Sequence, residues 1–291
     1  MKKKWLCFLM ICVILPGCVM AESRVVNLVV NPNAEWAFDE GAEILEVYFP
    51  PLKGADACIL RMGNQVVMVD AGTAGQRQRV AAAMQEAGID HVDLAFNTHP
   101  HDDHIEGFEF VPYAVPLKWL VIAFPENANA HMKKTLEVMK ELGIPVWRAQ
   151  DGARFKLGAA EVRVIQKTEH WFSMNNQSAM LLVHFGDCKL LLTADVEIDA
   201  QNLLVKTCPE LLDADIFKYP HHGVTRAGWN FIKHIDAELA IVTNERARTQ
   251  TASDDAEEKM LSLLYTGEGM VRLRTDGKIW VVDQWELNVL Q

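Results

Sequence analysis

An α/β fold of two packed sheets with helices on their outer faces is what this sequence predicts, on three observations. Strand-like apolar runs alternate with amphipathic helical segments along the chain. Several runs, such as Ala179-Met180-Leu181-Leu182-Val183, are apolar at successive positions and therefore need cover on both faces. No internal repeat, low-complexity tract or long linker divides the 291 residues, so one large domain with a full core is expected.

Taken in order, residues 44–49, 57–61 and 65–69 are predicted strands, with turn chemistry at Met62-Gly63-Asn64 between the last two. Residues 76–87 have helical apolar spacing and stop at Gly88. The run 92–96 is apolar and strand-like. Residues 118–123 form a strand, 131–142 a helix, and 146–148 a short strand after Pro145. The second half has the same character, with strands at 162–165, 179–185 and 189–193. Gly186-Asp187 joins the last two as a hairpin. Residues 198–205, 227–235 and 254–264 are predicted helices; 215–220, 237–242, 270–274 and 279–283 are predicted strands.

The first 21 residues carry the pattern of an export signal. Lys2, Lys3 and Lys4 precede an apolar stretch over 5–15, and Val19-Met20-Ala21 offers a cleavage position. That stretch is short for a membrane span. A competing cut lies at Leu15-Pro16-Gly17-Cys18, a lipoprotein-like box that would anchor the chain through Cys18, although Pro16 fits it poorly. The expected product spans 22–291 and is exported, secreted or envelope-associated, with no transmembrane domain. Losing three lysines and no acids takes the formal charge from −11 to −14. Such a surface disfavours sequence-independent grip on nucleic acid. Cys58, Cys188 and Cys208 remain, an odd set without regular spacing that allows one disulfide but no framework. Oligomeric state is not encoded in any pattern here.

Chemistry concentrates at His99-Pro100-His101-Asp102-Asp103-His104, directly after an apolar strand. Imidazole nitrogen and carboxylate oxygen are ligands that zinc and similar divalent ions prefer. His99 and His101, two apart, can pinch one ion, while Asp103 and His104 turn toward a second. Asp195 closes another apolar strand and supplies the anionic ligand such a pair lacks; bridging two cations sets their separation at about 3.5–4 Å. His221-His222-Gly223 repeats the layout of strand, sharp turn and imidazoles, and at least one of the two histidines is expected to be a ligand. Asp70, at a strand end before Gly72, either orients a metal-binding histidine or caps the helix that follows.

This constellation resembles the metallo-β-lactamase superfamily, whose HxHxDH motif is carried by His99, His101, Asp103 and His104, with Gly107 beyond. More narrowly it resembles the branch holding the hydrolase domain of DNA-uptake competence proteins and secreted phosphorylcholine esterases. That branch adds an N-N-x-S strand opening, here Asn175-Asn176-Gln177-Ser178. It also adds a Leu-Thr-Gly-Asp strand end, here Leu192-Thr193-Ala194-Asp195, and the His-His-Gly turn. The resemblance runs from Glu46 to Val282 and implies a four-layer αββα sandwich with metals at one edge. Three departures stand out. The branch's Gly-Gln-Gly-Asp turn is Lys53-Gly54-Ala55-Asp56, which keeps the acid and makes Asp56 either a site residue or a turn aspartate. Its late Gly-His-Pro element is replaced by Arg248-Thr249-Gln250-Thr251-Ala252-Ser253. The histidine that most members place before the N-N-x-S strand has no match; His170 fills that gap or is an exposed loop histidine. Asn175 and Asn176 contact substrate, supply an amide oxygen, or form a turn.

The expectation is an exported hydrolase using one or two zinc ions, with manganese as the alternative. Asp103 and Asp195 are its candidate catalytic carboxylates. His99, His101, Asp103, His104, Asp195, His221 and His222 are its candidate metal ligands. Asp70, Asn175, Asn176 and His170 stand behind them or toward substrate. The resemblance points to a phosphodiester, in a small molecule or the cell envelope. The alternatives are an amide, lactone or β-lactam bond, and a degenerate metal-binding protein, motivated by the missing late histidine.

Overall fold

The computed structural model describes residues 25–27, 38–259 and 261–287, and the expected export signal and Cys18 lie outside them. Sixteen strands occur among the described residues. The first sheet draws on β1 (Val25–Asn27), β2 (Leu45–Phe49), β3 (Ala57–Met62), β4 (Gln65–Ala71), β5 (Leu94–Asn97), β6 (Leu120–Ile122) and β7 (Val146–Arg148). The second draws on β8 (Arg154–Leu157), β9 (Ala160–Ile165), β10 (Met180–Phe185), β11 (Cys188–Leu192), β12 (Ile216–Lys218), β13 (Leu239–Val242) and β14 (Ser262–Tyr265). β15 (Met270–Thr275) and β16 (Trp280–Trp285) return to the first sheet, whose order is β1-β16-β15-β2-β3-β4-β5-β6-β7; the second runs β14-β13-β12-β11-β10-β9-β8.

Seven α-helices accompany them among the described residues: α1 (Arg77–Glu86), α2 (Asp102–Ile105), α3 (Val111–Ala114), α4 (Ala130–Glu141), α5 (Ile198–Thr207), α6 (Trp229–Ile235) and α7 (Gln250–Lys259). The αββα layering explains the unbroken apolar strands. Leu190 and Leu192 of β11 point into the core between the sheets, while Leu191 joins Leu204, Phe231 and Ile232 beneath α5 and α6. Strand side chains alternate faces, so a strand covered on both sides is apolar at every position.

Each sheet is mixed, and this decides where function sits. β4 to β7 are mutually parallel, as are β11 to β14. Parallel strands present their C-terminal ends, and the loops that follow, along one edge.

Most predicted elements are present with ends shifted by a residue or two. One is corrected: the helix expected over 254–264 ends at Lys259, and Ser262–Tyr265 is a strand parallel to β13. Pairing along the sheet edge overrides local propensity there. β8 was not anticipated; Arg154-Phe155-Lys156-Leu157 alternates, but it is short and polar on one face. The three described cysteines are buried, and no disulfide joins them to one another.

Candidate metal centre

The loop after β5 descends onto the end of β4. Asp70 lies in β4 with a left-handed backbone, φ 55°, and its two oxygens collect four hydrogen bonds. Oδ1 accepts from Thr98 N at 2.8 Å and Asn97 Nδ2 at 3.1 Å; Oδ2 accepts from Thr98 Oγ1 at 2.6 Å and His104 Nδ1 at 2.8 Å. Asp70 therefore fixes the His104 ring with Nε2 directed away from it. The one-turn α2 makes this approach geometrically possible, since His104 N and Ile105 N both donate to His101 O. Gly107 then passes so close to β4 that a Cβ would stand 1.9 Å from Ala71 O. Only glycine fits.

The second sheet contributes from β11 and β12. Ala194 (φ 47°), His221 (φ 47°) and His222 (φ 51°) are all left-handed, conformations that L-residues adopt at a cost and that cluster where geometry is functional. His222 Nδ1 lies 3.0 Å from both Asp56 Oδ1 and Thr243 Oγ1, which leaves its Nε2 facing Asp103 Oδ2 at 3.1 Å. Asp56 thus does for His222 what Asp70 does for His104. His221 Nδ1 sits 3.2 Å from Glu197 Oε1.

One atom lies at the middle. Asp195 Oδ2 is 3.2 Å from His104 Nε2, 3.4 Å from His222 Nε2, and 3.8 Å from both His99 Nε2 and His221 Nε2. His101 Nδ1 is 3.1 Å from His99 Nε2, and Asp103 Oδ1 is 3.9 Å from His104 Nε2. A tetrahedral ion with bonds of about 2.0–2.1 Å needs donors roughly 3.3 Å apart, close to these separations. His104 Nε2 is buried and makes no well-aligned hydrogen bond, its nearest acceptor being Asp195 Oδ2 at 3.2 Å, as suits a nitrogen and an oxygen that share an ion. Asp56, His104, Asp195 and His222 each bring one ligand atom within 4.8 Å of the others, and all four are buried. The donor set fits a divalent cation.

Buried carboxylates and imidazoles of the cluster set one another's affinity for protons. Burial disfavours protonated His104, yet the Asp195 and Asp70 carboxylates hold its pKa well above the usual imidazole value. Burial likewise opposes protonation of His222, but Asp195 and Asp56 push it up to about 10. Asp103 is held at about 2 against its own burial by the His222 hydrogen bond and the His104 charge. His99 falls well below the usual value, through burial and the neighbouring His104 charge. Binding a cation at His104 and His222 therefore displaces protons.

The remaining predicted residues divide. Asn176 is buried in the turn over Asn175–Gln177, and its amide oxygen accepts from Glu197 N (3.2 Å) and Ala200 N (3.0 Å), anchoring the start of α5; of the roles open to it, this is the turn. Asn175 Nδ2 reaches Glu197 Oε1 at 3.4 Å while its buried Oδ1 has no partner. His170 is exposed on the loop before them. Sequence reasoning passed over Lys218, whose buried ammonium lies among Asp56, Asp195 and Ala194 O; its one signal was a lysine ending an apolar strand.

The family model of the metallo-beta-lactamase superfamily matches residues 52–242. Among solved structures the chain is similar to the metallo-beta-lactamase fold protein YhfI from Bacillus subtilis, at 12% identity and TM-score 0.51, over 76% of this chain and 95% of that one. It is also similar to CmlA, a diiron β-hydroxylase from Streptomyces venezuelae, at 12% identity and TM-score 0.52, over 80% of this chain; it spans about half of that longer protein, 54%. Identities this low establish shared architecture and leave chemistry to the site. No curated protein matches the chain.

Proposed function

The chain belongs to the metallo-β-lactamase superfamily, and we propose that it is an exported hydrolase of phosphodiesters that uses one or two zinc ions. The observation that carries the metal-dependent reading is the gathering of four imidazole Nε2 atoms around Asp195 Oδ2. His99, His101, Asp195 and His221 would hold one ion, and Asp103, His104, His222 and Asp195 a second, with Asp195 shared. Nitrogen and oxygen donors without thiolate suit zinc and also admit manganese. When bound, such ions supply Lewis acidity toward an electrophilic centre and lower the pKa of water toward neutrality.

The chain's own groups do the rest. His99, His104, His222 and Asp195 are buried, whereas His101, Asp103 and His221 are partly exposed and mark the side from which substrate arrives. Asp103, 25% exposed and ionised at neutral pH, is placed to accept a proton from the attacking water on that side. Glu197 holds the His221 ring. The phosphodiester preference rests on the N-N-x-S, Leu-Thr-Ala-Asp and His-His-Gly segments, which resemble those of competence-protein hydrolase domains and phosphorylcholine esterases. A small or envelope-bound substrate is favoured over nucleic acid by the acidic charge. Zinc-loaded protein should hydrolyse bis(p-nitrophenyl) phosphate in preference to a β-lactam. His101→Ala and Asp195→Ala should each abolish that activity; activity surviving both overturns the site assignment, and a β-lactam preference overturns the substrate class.

A further inference from the structure

Lys218 is the cation of the centre that no ligand motif contains. It ends β12, its side chain is 3% exposed, and its ammonium has three acceptors for three protons. It meets Asp56 Oδ2 at 2.5 Å, Ala194 O at 2.8 Å and Asp195 Oδ1 at 3.3 Å. The two carboxylates come from opposite sheets: Asp56 immediately precedes β3, and Asp195 follows β11. Each has one oxygen turned to the lysine and the other turned to histidine. Asp195 gives Oδ2 to the four imidazoles, and Asp56 gives Oδ1 to His222 Nδ1 and to Thr243 Oγ1, the latter at 2.5 Å.

Both carboxylates could do otherwise. Asp56 stands within the group of residues close enough to share an ion. An aspartate with two free oxygens can also chelate one ion through both, and would then cease to be shared equally between two. Resting on the metal-dependent reading above, we propose that Lys218 is a positioning residue that withholds Asp195 Oδ1 and Asp56 Oδ2 from coordination. Asp195 is thereby committed to a single ligating oxygen, and Asp56 to orienting His222. A fixed ammonium suits this task because it pairs with both carboxylates at once and cannot itself ligate while protonated.

The test uses the full chain loaded with cobalt(II), whose ligand-field spectrum reports coordination number, with ion affinity read by competition against a chromophoric chelator. Lys218→Met alone would leave two buried carboxylates without their cation and endanger folding. The double variant Lys218→Met/Asp56→Asn removes the ammonium together with one of its two carboxylates and keeps an amide oxygen for His222 Nδ1. It should bind cobalt with a weakened ligand-field band, as coordination number rises, and its affinity for the second ion should fall about 10–100-fold. Lys218→Arg, which preserves the charge, should retain the wild-type spectrum. An unchanged spectrum and affinity in the double variant overturns the proposal, as does Lys218→Arg shifting equally far. Wild-type protein that takes up no cobalt overturns instead the metal-dependent reading on which it rests.

Discussion

Replacing Asp70 by asparagine tests how the centre is held together. The four hydrogen bonds to Asp70 leave no freedom for an amide. If its nitrogen takes the Oδ1 position it faces the Thr98 backbone N–H, which cannot turn, and an unmade buried hydrogen bond costs about 1–3 kcal/mol. If it takes the Oδ2 position, the Thr98 hydroxyl can rotate to accept, but His104 Nδ1 must then accept as well. The His104 proton moves to Nε2, the atom that faces Asp195. That tautomer cannot ligate. Asp70→Asn should therefore cost about 1–2 kcal/mol in urea unfolding of ion-free protein, since charge-assisted bonds become neutral ones. Ion affinity should fall about 10–100-fold, as for other partners that orient ligating histidines. Chelator competition measures the second quantity, and an affinity equal to wild type would refute the assignment of Asp70 as the residue that sets the His104 tautomer.

Three further outcomes follow from charge and strain. Ion affinity should strengthen at least about tenfold per pH unit between pH 6 and 8, because His222, raised to about 10, must release its proton to ligate; a flat profile would contradict this. The same raised pKa stabilises the ion-free fold fully below the ordinary value of 6.5, and that contribution declines as pH climbs toward 10, so urea midpoints of ion-free protein should fall across this window. At Ala194, φ 47° penalises any side chain, while the methyl is 2% exposed. Ala194→Gly exchanges relief of about 1–2 kcal/mol of strain for a buried methyl worth about 0.8 kcal/mol and added unfolded-chain freedom, a net change within about 1 kcal/mol. Ala194→Val should lose about 2 kcal/mol or more by the same urea unfolding, and equal stability of the two variants would refute the strain.

The ligand-bearing segments were legible because each is short and local. His99 to His104 lie within one loop, and Asp195 and His221-His222 each end a strand recognisable from its apolar run. The two-sheet architecture was legible for a related reason, since strands covered on both faces declare it in composition. Less legible was the helix–strand boundary at 259–262. β14 exists because β13 offers a parallel edge 23 residues earlier in the chain (Leu239 beside Ser262), a partner that a local window does not contain.

By itself the sequence determined the donor types, their order along the chain, and that they sit at strand ends. Only the tertiary structure decided which atoms they present. Asp70 holding His104, Asp56 holding His222 and Lys218 holding Asp195 are side-chain contacts that span the ends of separate strands, and the first two of these pairs are 34 and 166 residues apart. A hydrogen bond whose length must be right to within a few tenths of an ångström depends on how separate strands and sheets pack, and no periodicity in the chain records that distance.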